Sequence, residues 1–387
     1  MSKTLSYVLA TPRTVAKSRI GGVLSRLLSR ADLDLVGARV FSPDAALAER
    51  FAEVLRGRGP NGRPELTAES VLGGANSSGG NPPRCMLLLF EGENSCERLS
   101  GVCGLPCSWN PDSATEGATV MDTYAEFVQN PPESGGARWF DPAVITAKNR
   151  AEADADLSML ADFLEGRGNV VEGLSYPGET GVERTLVILK PDNWAFRSCR
   201  PGAILDIFSR TGLRIVAAKI HRFSLAQALE FYGPVEDAMR GKLSGRFAGR
   251  AAELLEREFD LVLGDETVKA LRDTFGIRCA EKEFGNLVEF MCGRRPESGA
   301  DANGPGDAKC MILVYEGANA VAKIRDALGP TNPAEAPDGT VRREFGSSIM
   351  VNAAHASDST ESFLREKDVV KIGENAVVDI IRARAAG

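Results

Sequence analysis

The residue best placed to do chemistry in this chain is a histidine near its C-terminal end. His355 lies in the run Asn-Ala-Ala-His-Ala-Ser-Asp-Ser of residues 352–359, and it is one of 2 histidines in 387 residues. With an unperturbed pKa of about 6.5, an imidazole is largely neutral near pH 7 and can attack phosphorus without first losing a proton. A lone histidine among small residues is more often packed or solvated, so the hypothesis of a phosphate acceptor depends on its surroundings.

Cationic and hydroxyl side chains precede the histidine on three different predicted elements. One ends an apolar, strand-like run just before Pro191, where a central strand must stop. Another lies in a stretch with helical spacing, and two more lie in a turn-rich loop. In chain order these side chains are Lys190, Arg325, Thr331 and Arg342. A strand, a helix and a loop must therefore meet around His355 if these groups bind one phosphate chain.

These segments, in this order, resemble the nucleoside diphosphate kinase family. The resemblance covers most of residues 183–370, and it rests on Leu189-Lys190-Pro191-Asp192, Phe231-Tyr232, Glu316-Gly317, the loop 329–342 and the run 352–359. It implies an α+β fold, an α/β sandwich in which an antiparallel ferredoxin-like sheet is backed by helices. It also implies ping-pong transfer of a terminal phosphoryl group from a nucleoside triphosphate to a nucleoside diphosphate through phosphohistidine at His355. Mg²⁺ would arrive with the nucleotide phosphates, without direct protein ligands.

The resemblance also implies a role for each site residue. His355 is the nucleophile, Glu366 orients its ring, and Ser357 braces that carboxylate. The implied nucleotide contacts are Lys190 and Tyr232 at the transferring phosphate, Arg325, Thr331 and Arg342 at the other phosphates, Asn352 at the sugar, and Phe284 and Leu287 at the base. The base-stacking position of the family aligns with Glu283, next to Phe284, so the preferred nucleobase stays open.

Composition bounds the class of protein. The chain has 43% hydrophobic and 26% charged residues, a net charge of -7 and no long apolar run. These values are typical of a globular protein without membrane spans, and we expect a cytoplasmic location. The acidic balance argues against nucleic-acid binding, because such surfaces normally carry a basic stripe. The 8 cysteines lack zinc-site spacing and are expected to be reduced.

The sequence contains two copies of one pattern. Residues 84–94 match residues 309–319 at an offset of 225, and residues 22–30 match residues 202–210. We therefore predict two tandem ferredoxin-like domains, residues 1–165 and 183–387, joined by a glycine-rich linker at 166–182. The second domain carries a helical insertion at about residues 233–280.

The first copy lacks the residues that would do the chemistry. The positions that match Lys190, Arg325, Thr331 and Arg342 hold, in the same order, Thr11, Ser100, Pro106 and Met121. The position that matches His355 is predicted to be Thr146. We expect the first domain to be inactive and retained for assembly or regulation, although weak nucleotide binding without reaction is an alternative.

Two broader questions stay open from the sequence. One alternative to a kinase is a nucleotide-binding regulatory or scaffold protein in which phosphotransfer is incidental. The resemblance implies a homo-oligomer, and a fused pair of domains favours a trimer or dimer of chains.

Overall fold

We describe the chain from a computed structural model. The residues described are 3–58, 66–73, 80–106, 108, 117–129, 138–296, 299 and 301–385. They form two compact units: Met1–Ile220 with Met311–Lys367 and Lys371–Gly387, and His221–Cys310 with Asp368–Val370. Both repeats contribute their sheets to the first unit, so the division does not follow the repeats. The predicted limits of the two domains therefore remain a prediction.

The first repeat alternates strands and helices in the order expected from its apolar periodicity. Its elements are β1 (Thr4–Ala10), α1 (Pro12–Ala16), α2 (Ile20–Arg30), β2 (Asp34–Phe41), α3 (Ala45–Arg58), α4 (Ala68–Val71), β3 (Cys85–Gly92), α5 (Ser95–Cys103), α6 (Val120–Tyr124), β4 (Glu126–Gln129), β5 (Arg138–Asp141), β6 (Val144–Ile145) and α7 (Arg150–Leu164). The degenerate loop that precedes Met121 falls partly at 109–116, outside the described residues.

The second repeat follows a segment, residues 165–181, that contains no helix or strand. Its elements are β7 (Val182–Leu189), a 3-10 turn (Pro191–Asn193), α8 (Arg200–Ser209), β8 (Arg214–His221), α9 (Leu225–Phe259), α10 (Asp265–Leu271), α11 (Ile277–Cys292), β9 (Cys310–Ala318), α12 (Ala320–Leu328), α13 (Val341–Phe345), β10 (Ala354–Ala356), α14 (Thr360–Val369) and α15 (Val377–Ala385).

The two main sheets have the same topology. Their strand orders are β2-β3-β1-β6 and β10-β7-β9-β8, which in both repeats places the fourth main strand beside the first and the second at the opposite edge. The pairings of β1 with β3 and of β7 with β9 are antiparallel. The middle strands are almost continuously apolar because both of their faces are covered, and residues 85–90 of β3 are all buried. This arrangement confirms the predicted ferredoxin-like α+β fold.

Within the first unit, the repeats meet along α2 and α8. A Cβ atom added to Gly202 would overlap with the carbonyl oxygen of Gly21, and one added to Gly21 would lie 2.6 Å from the carbonyl oxygen of Gly202. The two helices can approach this closely only because neither position has a side chain. Further along the junction, the side chain of Asn375 donates to the carbonyl oxygens of Ala38 and Ala218, at 2.9 and 3.0 Å.

The second unit contains the helices predicted as an insertion at about residues 233–280, together with the residues on either side of them. Helix α9 has 35 residues and begins with a capping box in which Ser224 and Gln227 bond each other's backbone N–H groups. It ends at Asp260, whose left-handed conformation (φ 50°) stops the helix. A π-helical turn, Arg272–Gly276, joins α10 to α11. In the part of the chain that the structure describes, no helix has the length and apolarity needed to span a bilayer.

Candidate active site

His355 lies on the short edge strand β10, where a carboxylate holds one nitrogen of its ring. The strand pairs antiparallel with β7, and His355 is opposite Ile188. The Nε2 atom of the ring is 3.0 Å from Oε1 of Glu366 on α14. The other carboxylate oxygen, Oε2, accepts a hydrogen bond of 2.7 Å from the Ser357 hydroxyl. The histidine side chain is 21% exposed, whereas the side chains of Ser357 and Glu366 are buried.

The electrostatics of this triad determine which nitrogen carries the proton. Burial raises the pKa of Glu366, but the charge and hydrogen bond of His355, then Ser357 and Arg365, outweigh it and leave the pKa below its ordinary value. Glu366 is therefore an acceptor at neutral pH, so Nε2 of His355 donates the hydrogen bond. In that tautomer the nucleophilic lone pair is on Nδ1.

Lys190 lies at the end of the strand beside His355. Its backbone N–H donates to the carbonyl of Ala353, and its ammonium donates to Oδ1 of Asn352 at 2.7 Å and to the carbonyl of Met350 at 3.3 Å. Burial, and then the positive charge of Arg342, lower the pKa of Lys190 to about 7, although Asp192 acts in the opposite direction. Because side chains alternate along β7, Lys190 shares a face of the strand with Ile188, the partner of His355.

Arg342 and Asn352 bond to the backbone of the loop and strand that lead to His355, and among the described residues no hydrogen bond involves the side chain of Thr331. Arg342, on α13, donates to the carbonyls of Gly329 at 2.9 Å and Ala354 at 3.4 Å. The side chain of Asn352 donates to the carbonyl of Thr331 at 3.1 Å. The exposed Arg325 on α12 is close enough to Asp358 that its charge contributes to lowering the pKa of that carboxyl, after the hydrogen bond from Ser362.

A polar cluster around the buried Asn193, which sequence analysis missed, holds the backbone next to Lys190 and His355. The side-chain N–H₂ of Asn193 donates to the carbonyls of Lys190 at 3.0 Å and Ala353 at 2.6 Å. Arg200 donates to Oδ1 of Asn193 and to Oδ2 of Asp192, both at 2.8 Å. Ala353 has φ 70°, which is unfavourable for a residue with a Cβ atom, so these bonds stabilise a strained position two residues before His355. The polar Asp192–Asn193 pair after a strand was the available signal.

The three side chains predicted nearest the nucleobase and the transferring phosphate lie in the second unit. Tyr232 on α9 is 5% exposed, and its ring packs against Phe231 with centroids 5.0 Å apart. Phe284 on α11 is 7% exposed, and Leu287 on the same helix is partly exposed. Their predicted roles stay predictions, and base stacking would require the ring of Phe284 to uncover a face.

Comparison with known proteins agrees with this geometry. Nucleoside diphosphate kinase from Chlamydia pneumoniae is 35% identical over 181 residues, which are 47% of this chain and 85% of that protein. The chain belongs to the nucleoside diphosphate kinase family. The family model described as nucleoside diphosphate kinase matches residues 266–371, which include the His355 run and Glu366.

Solved structures of the family are also similar to about half of the chain. A nucleoside diphosphate kinase from Aquifex aeolicus is 29% identical, with 49% of this chain and 94% of that one covered and a TM-score of 0.29. An NDP kinase from Pyrobaculum aerophilum is 28% identical, with the same coverage and a TM-score of 0.34.

The first repeat has no histidine at the position that matches His355. The predicted equivalence of Thr146 with His355, however, is wrong by one residue. Strand β6 pairs with β1 so that Ile145 is opposite Leu9, and Leu9 is equivalent to Ile188, the partner of His355. Ile145 therefore occupies the position of the nucleophile. Thr146 is one residue further along, and its hydroxyl donates to the carbonyl of Tyr7 at 2.6 Å.

The carboxylate of the family site has an equivalent in the first repeat with different partners. Asp156 and Glu366 each lie seven residues beyond the side chain that caps the start of their helix, Asn149 and Ser359 respectively. Asp156 accepts hydrogen bonds from Tyr7 at 2.6 Å and from two nitrogens of Arg58, each at 2.8 Å. The carboxylate of Asp156 is therefore held in a structural ion pair with Arg58.

The donor set around His355 suits phosphate better than a bare metal ion. It consists of ammonium, guanidinium and amide groups, which bind oxyanions. Within the described ranges, no group of three or more His, Cys, Asp or Glu side chains is arranged to hold a metal. A divalent cation that accompanies the nucleotide would be held by phosphate oxygens, as is common for Mg²⁺.

Proposed function

We propose that this chain is a nucleoside diphosphate kinase that transfers the terminal phosphoryl group of a nucleoside triphosphate to a nucleoside diphosphate through phosphohistidine at His355. The observation that carries the proposal is the contact of Glu366 with Nε2 of His355 at 3.0 Å, beside a cluster of cations on neighbouring elements. A carboxylate on Nε2 fixes the tautomer and stabilises the positive charge that the ring gains when Nδ1 is phosphorylated. A purely packed histidine would not need this arrangement.

The proposed reaction has two half-reactions. In the first, the Nδ1 lone pair forms a bond to the terminal phosphorus while the bond from that phosphorus to the bridging oxygen breaks, and its electron pair leaves with the nucleoside diphosphate. In the second, the terminal phosphate oxygen of another diphosphate attacks the phosphohistidine, and the N–P electron pair returns to Nδ1. The proton on Nε2 stays hydrogen-bonded to Glu366 throughout. Such a covalent intermediate predicts ping-pong kinetics.

Charge stabilisation in this mechanism falls to the surrounding side chains. Phosphoryl transfer spreads negative charge over the phosphate oxygens, so catalysis depends mainly on positioned cations and hydrogen-bond donors. We assign Lys190 to the transferring phosphate, Arg325 and Arg342 to the remaining phosphates, and Asn352 to positioning Lys190 and the sugar hydroxyl. Mg²⁺ carried by the nucleotide would neutralise part of the phosphate charge when bound.

The remaining parts of the proposal concern the other predicted contacts and the assembly. Thr331 is assigned to the phosphates, Tyr232 to the transferring phosphate, and Phe284 with Leu287 to the base. The first repeat is assigned no chemistry, because Ile145 and a carboxylate bound to Arg58 replace the reacting pair. Assembly of the chains into a trimer or dimer is part of the same proposal.

The test is to trap the covalent intermediate. Wild-type protein incubated with γ-labelled ATP should acquire a phosphate that is acid-labile and base-stable, and it should lose that phosphate to any added nucleoside diphosphate. His355→Ala should take up no label and transfer none, because it lacks the nucleophile. The matched control is His221→Ala, which removes the other histidine and should be labelled as the wild type is. Nucleotide binding without labelling in the wild type would instead favour a regulatory or scaffold protein.

A further inference from the structure

A cavity outside the candidate active site lies at the junction of the two repeats. Its volume is about 220 Å³, and all of its lining belongs to the first compact unit. Its lining combines apolar residues from both repeats with polar and cationic residues. The proposal below uses four apolar lining residues, Val15, Ile20, Leu213 and Ile215, and two cationic ones, Arg84 and Arg214.

Two arginines bring positive charge to this cavity. Arg84 donates to the carbonyl oxygen of Ile215 at 2.7 Å, and Arg214 donates to the carbonyl oxygen of Ser175 at 3.0 Å. Among the described ion pairs, neither guanidinium is bonded to a carboxylate. The nearby carboxylate of Glu316 is already held by Arg184.

The environment of Arg84 shows that this arrangement is electrostatically unfavourable. Burial, and then the like charge of Arg214, lower its pKa to about 10, although Tyr176 and Glu316 partly oppose the shift. The guanidinium of Arg214 lies over the ring of Tyr176, with Cζ 4.4 Å from the ring centroid, and the largely buried Arg84 is close enough to feel its charge. An anion bound in the cavity would offset the positive charge of this pair. Guanidinium groups match carboxylates and phosphates in geometry, because their N–H donors lie in one plane.

We propose that this cavity is a binding site for a small organic oxyanion, whose carboxylate or phosphate head contacts Arg84 and Arg214 and whose compact apolar body lies against Val15, Ile20, Leu213 and Ile215. The size is suitable, since an apolar cavity of roughly 150 Å³ already accommodates benzene. The site is built by both repeats, so an intact first repeat is needed for it even though that repeat lacks the kinase histidine.

The experiment measures binding of two probes, phenyl phosphate and benzoate, to the full chain by calorimetry. Saturating ADP with Mg²⁺ is present so that the probes do not report on the nucleotide site. Phenol serves as the uncharged counterpart of both probes. Arg84→Met removes the buried cation, and Ala16→Phe places a bulky ring at the exposed rim of the cavity while leaving both arginines in place. Arg150→Met is the matched control, because Arg150 is an exposed partner of Asp154 on α7.

At least one probe should bind the wild type with one site per chain. The affinity for that probe should fall tenfold or more in Arg84→Met and in Ala16→Phe. It should not fall in Arg150→Met. Binding of phenyl phosphate alone would identify a phosphate ester as the ligand class, and binding of benzoate alone a carboxylate. Three outcomes would overturn the proposal. Neither probe binds the wild type, the variants bind a probe as tightly as the wild type does, or phenol binds as tightly as the charged probes. If Arg84→Met does not fold, Ala16→Phe decides. Phosphoryl transfer is not measured, so the result is separate from the kinase test.

Discussion

At the scale of single residues, the proposed chemistry depends on a carboxylate that remains ionised while buried. Glu366 is 3% exposed, and burial alone would favour its neutral form. The charge of His355, and then the hydrogen bonds with His355 and Ser357, reverse that preference and lower the pKa of Glu366. The pair therefore works as a unit, in which the carboxylate fixes the ring and the serine fixes the carboxylate.

Replacing Glu366 by glutamine tests this dependence. The amide keeps the size of the side chain but cannot stabilise a cationic phosphohistidine, so we expect kcat to fall by about 10²-fold, within the range typical of acid–base partners. Steady-state assays with ATP and a second diphosphate give the rate, and the lifetime of the labelled intermediate should shorten. Ser357→Ala should have a smaller effect in the same direction. A Glu366→Gln enzyme with unchanged kcat would remove the carboxylate from the mechanism.

The lysine beside the histidine predicts a pH dependence. Its pKa of about 7 means that the ammonium loses its proton as the pH rises through neutrality in the enzyme without nucleotide. Since kcat/KM reports on the free enzyme, it should fall above about pH 7, whereas kcat should change less because bound phosphate favours the charged form. Lys190→Arg stays charged and should lack this fall, even if its overall rate is lower. A wild-type kcat/KM that is constant from about pH 6 to 9 would contradict the assignment.

At the scale of elements, the site depends on how the end of β7 is joined to the start of β10. The 3-10 turn Pro191–Asn193 places Asn193 between the carbonyls of Lys190 and Ala353, and Arg200 at the start of α8 holds the turn. These bonds set the distance between Lys190, which follows the end of β7, and the strand β10, which carries His355. A shift of about 1 Å in such a site can reduce a rate by 10²-fold.

Asn193→Ala should therefore lower kcat by about tenfold or more with little change in KM, because it disturbs the alignment of reacting groups rather than nucleotide contacts. Loss of buried hydrogen bonds will also reduce stability by about 1–3 kcal/mol. Asn149→Ala is the matched control, since this asparagine caps α7 in the first repeat and its loss costs about 1 kcal/mol of stability without touching the site. Equal activity of the two variants at a temperature where both are folded would assign Asn193 a purely structural role.

Sequence analysis found the elements whose signals are local and missed those that depend on tertiary contacts. The repeated apolar runs predicted the strands. The family resemblance, rather than any local pattern, implied the set of Lys190, Arg342 and Asn352, of which the structure joins Lys190 to Asn352 and Arg342 to the carbonyl of Ala354 beside His355. The misplacement of Thr146 is a slip of one residue in a two-residue strand, which side-chain alternation could not correct because both neighbours are buried. The contacts of Asn193 with Ala353 join residues 160 positions apart, and no local pattern indicates them.

At the scale of the whole molecule, we propose that the first repeat serves as a structural partner of the second. Its described residues form a four-stranded sheet and a buried apolar core, and its carboxylate equivalent, Asp156, is paired with Arg58. The thiols of Cys85 and Cys103 are also buried, which raises their pKa and is consistent with a reduced core, while Cys107 lies outside the described residues. Such a repeat can contribute stability and the walls of a cavity without any chemistry of its own.

The junction of α2 and α8 predicts a stability difference between two glycine substitutions. Gly202→Ala would drive a methyl group into the backbone of α2 at Gly21 and Ser25, so the helices must separate, and we expect a loss of about 1–3 kcal/mol from overpacking. The matched control is Gly241→Ala in α9, where nothing lies within 4 Å of the added carbon and alanine favours the helix by about 1 kcal/mol. Thermal unfolding should therefore show a lower Tm for Gly202→Ala and an unchanged or higher Tm for Gly241→Ala. If both substitutions raised the Tm, the two repeats would not be packed helix against helix at this point, and the role of the first repeat as a structural support for the second would lose its basis.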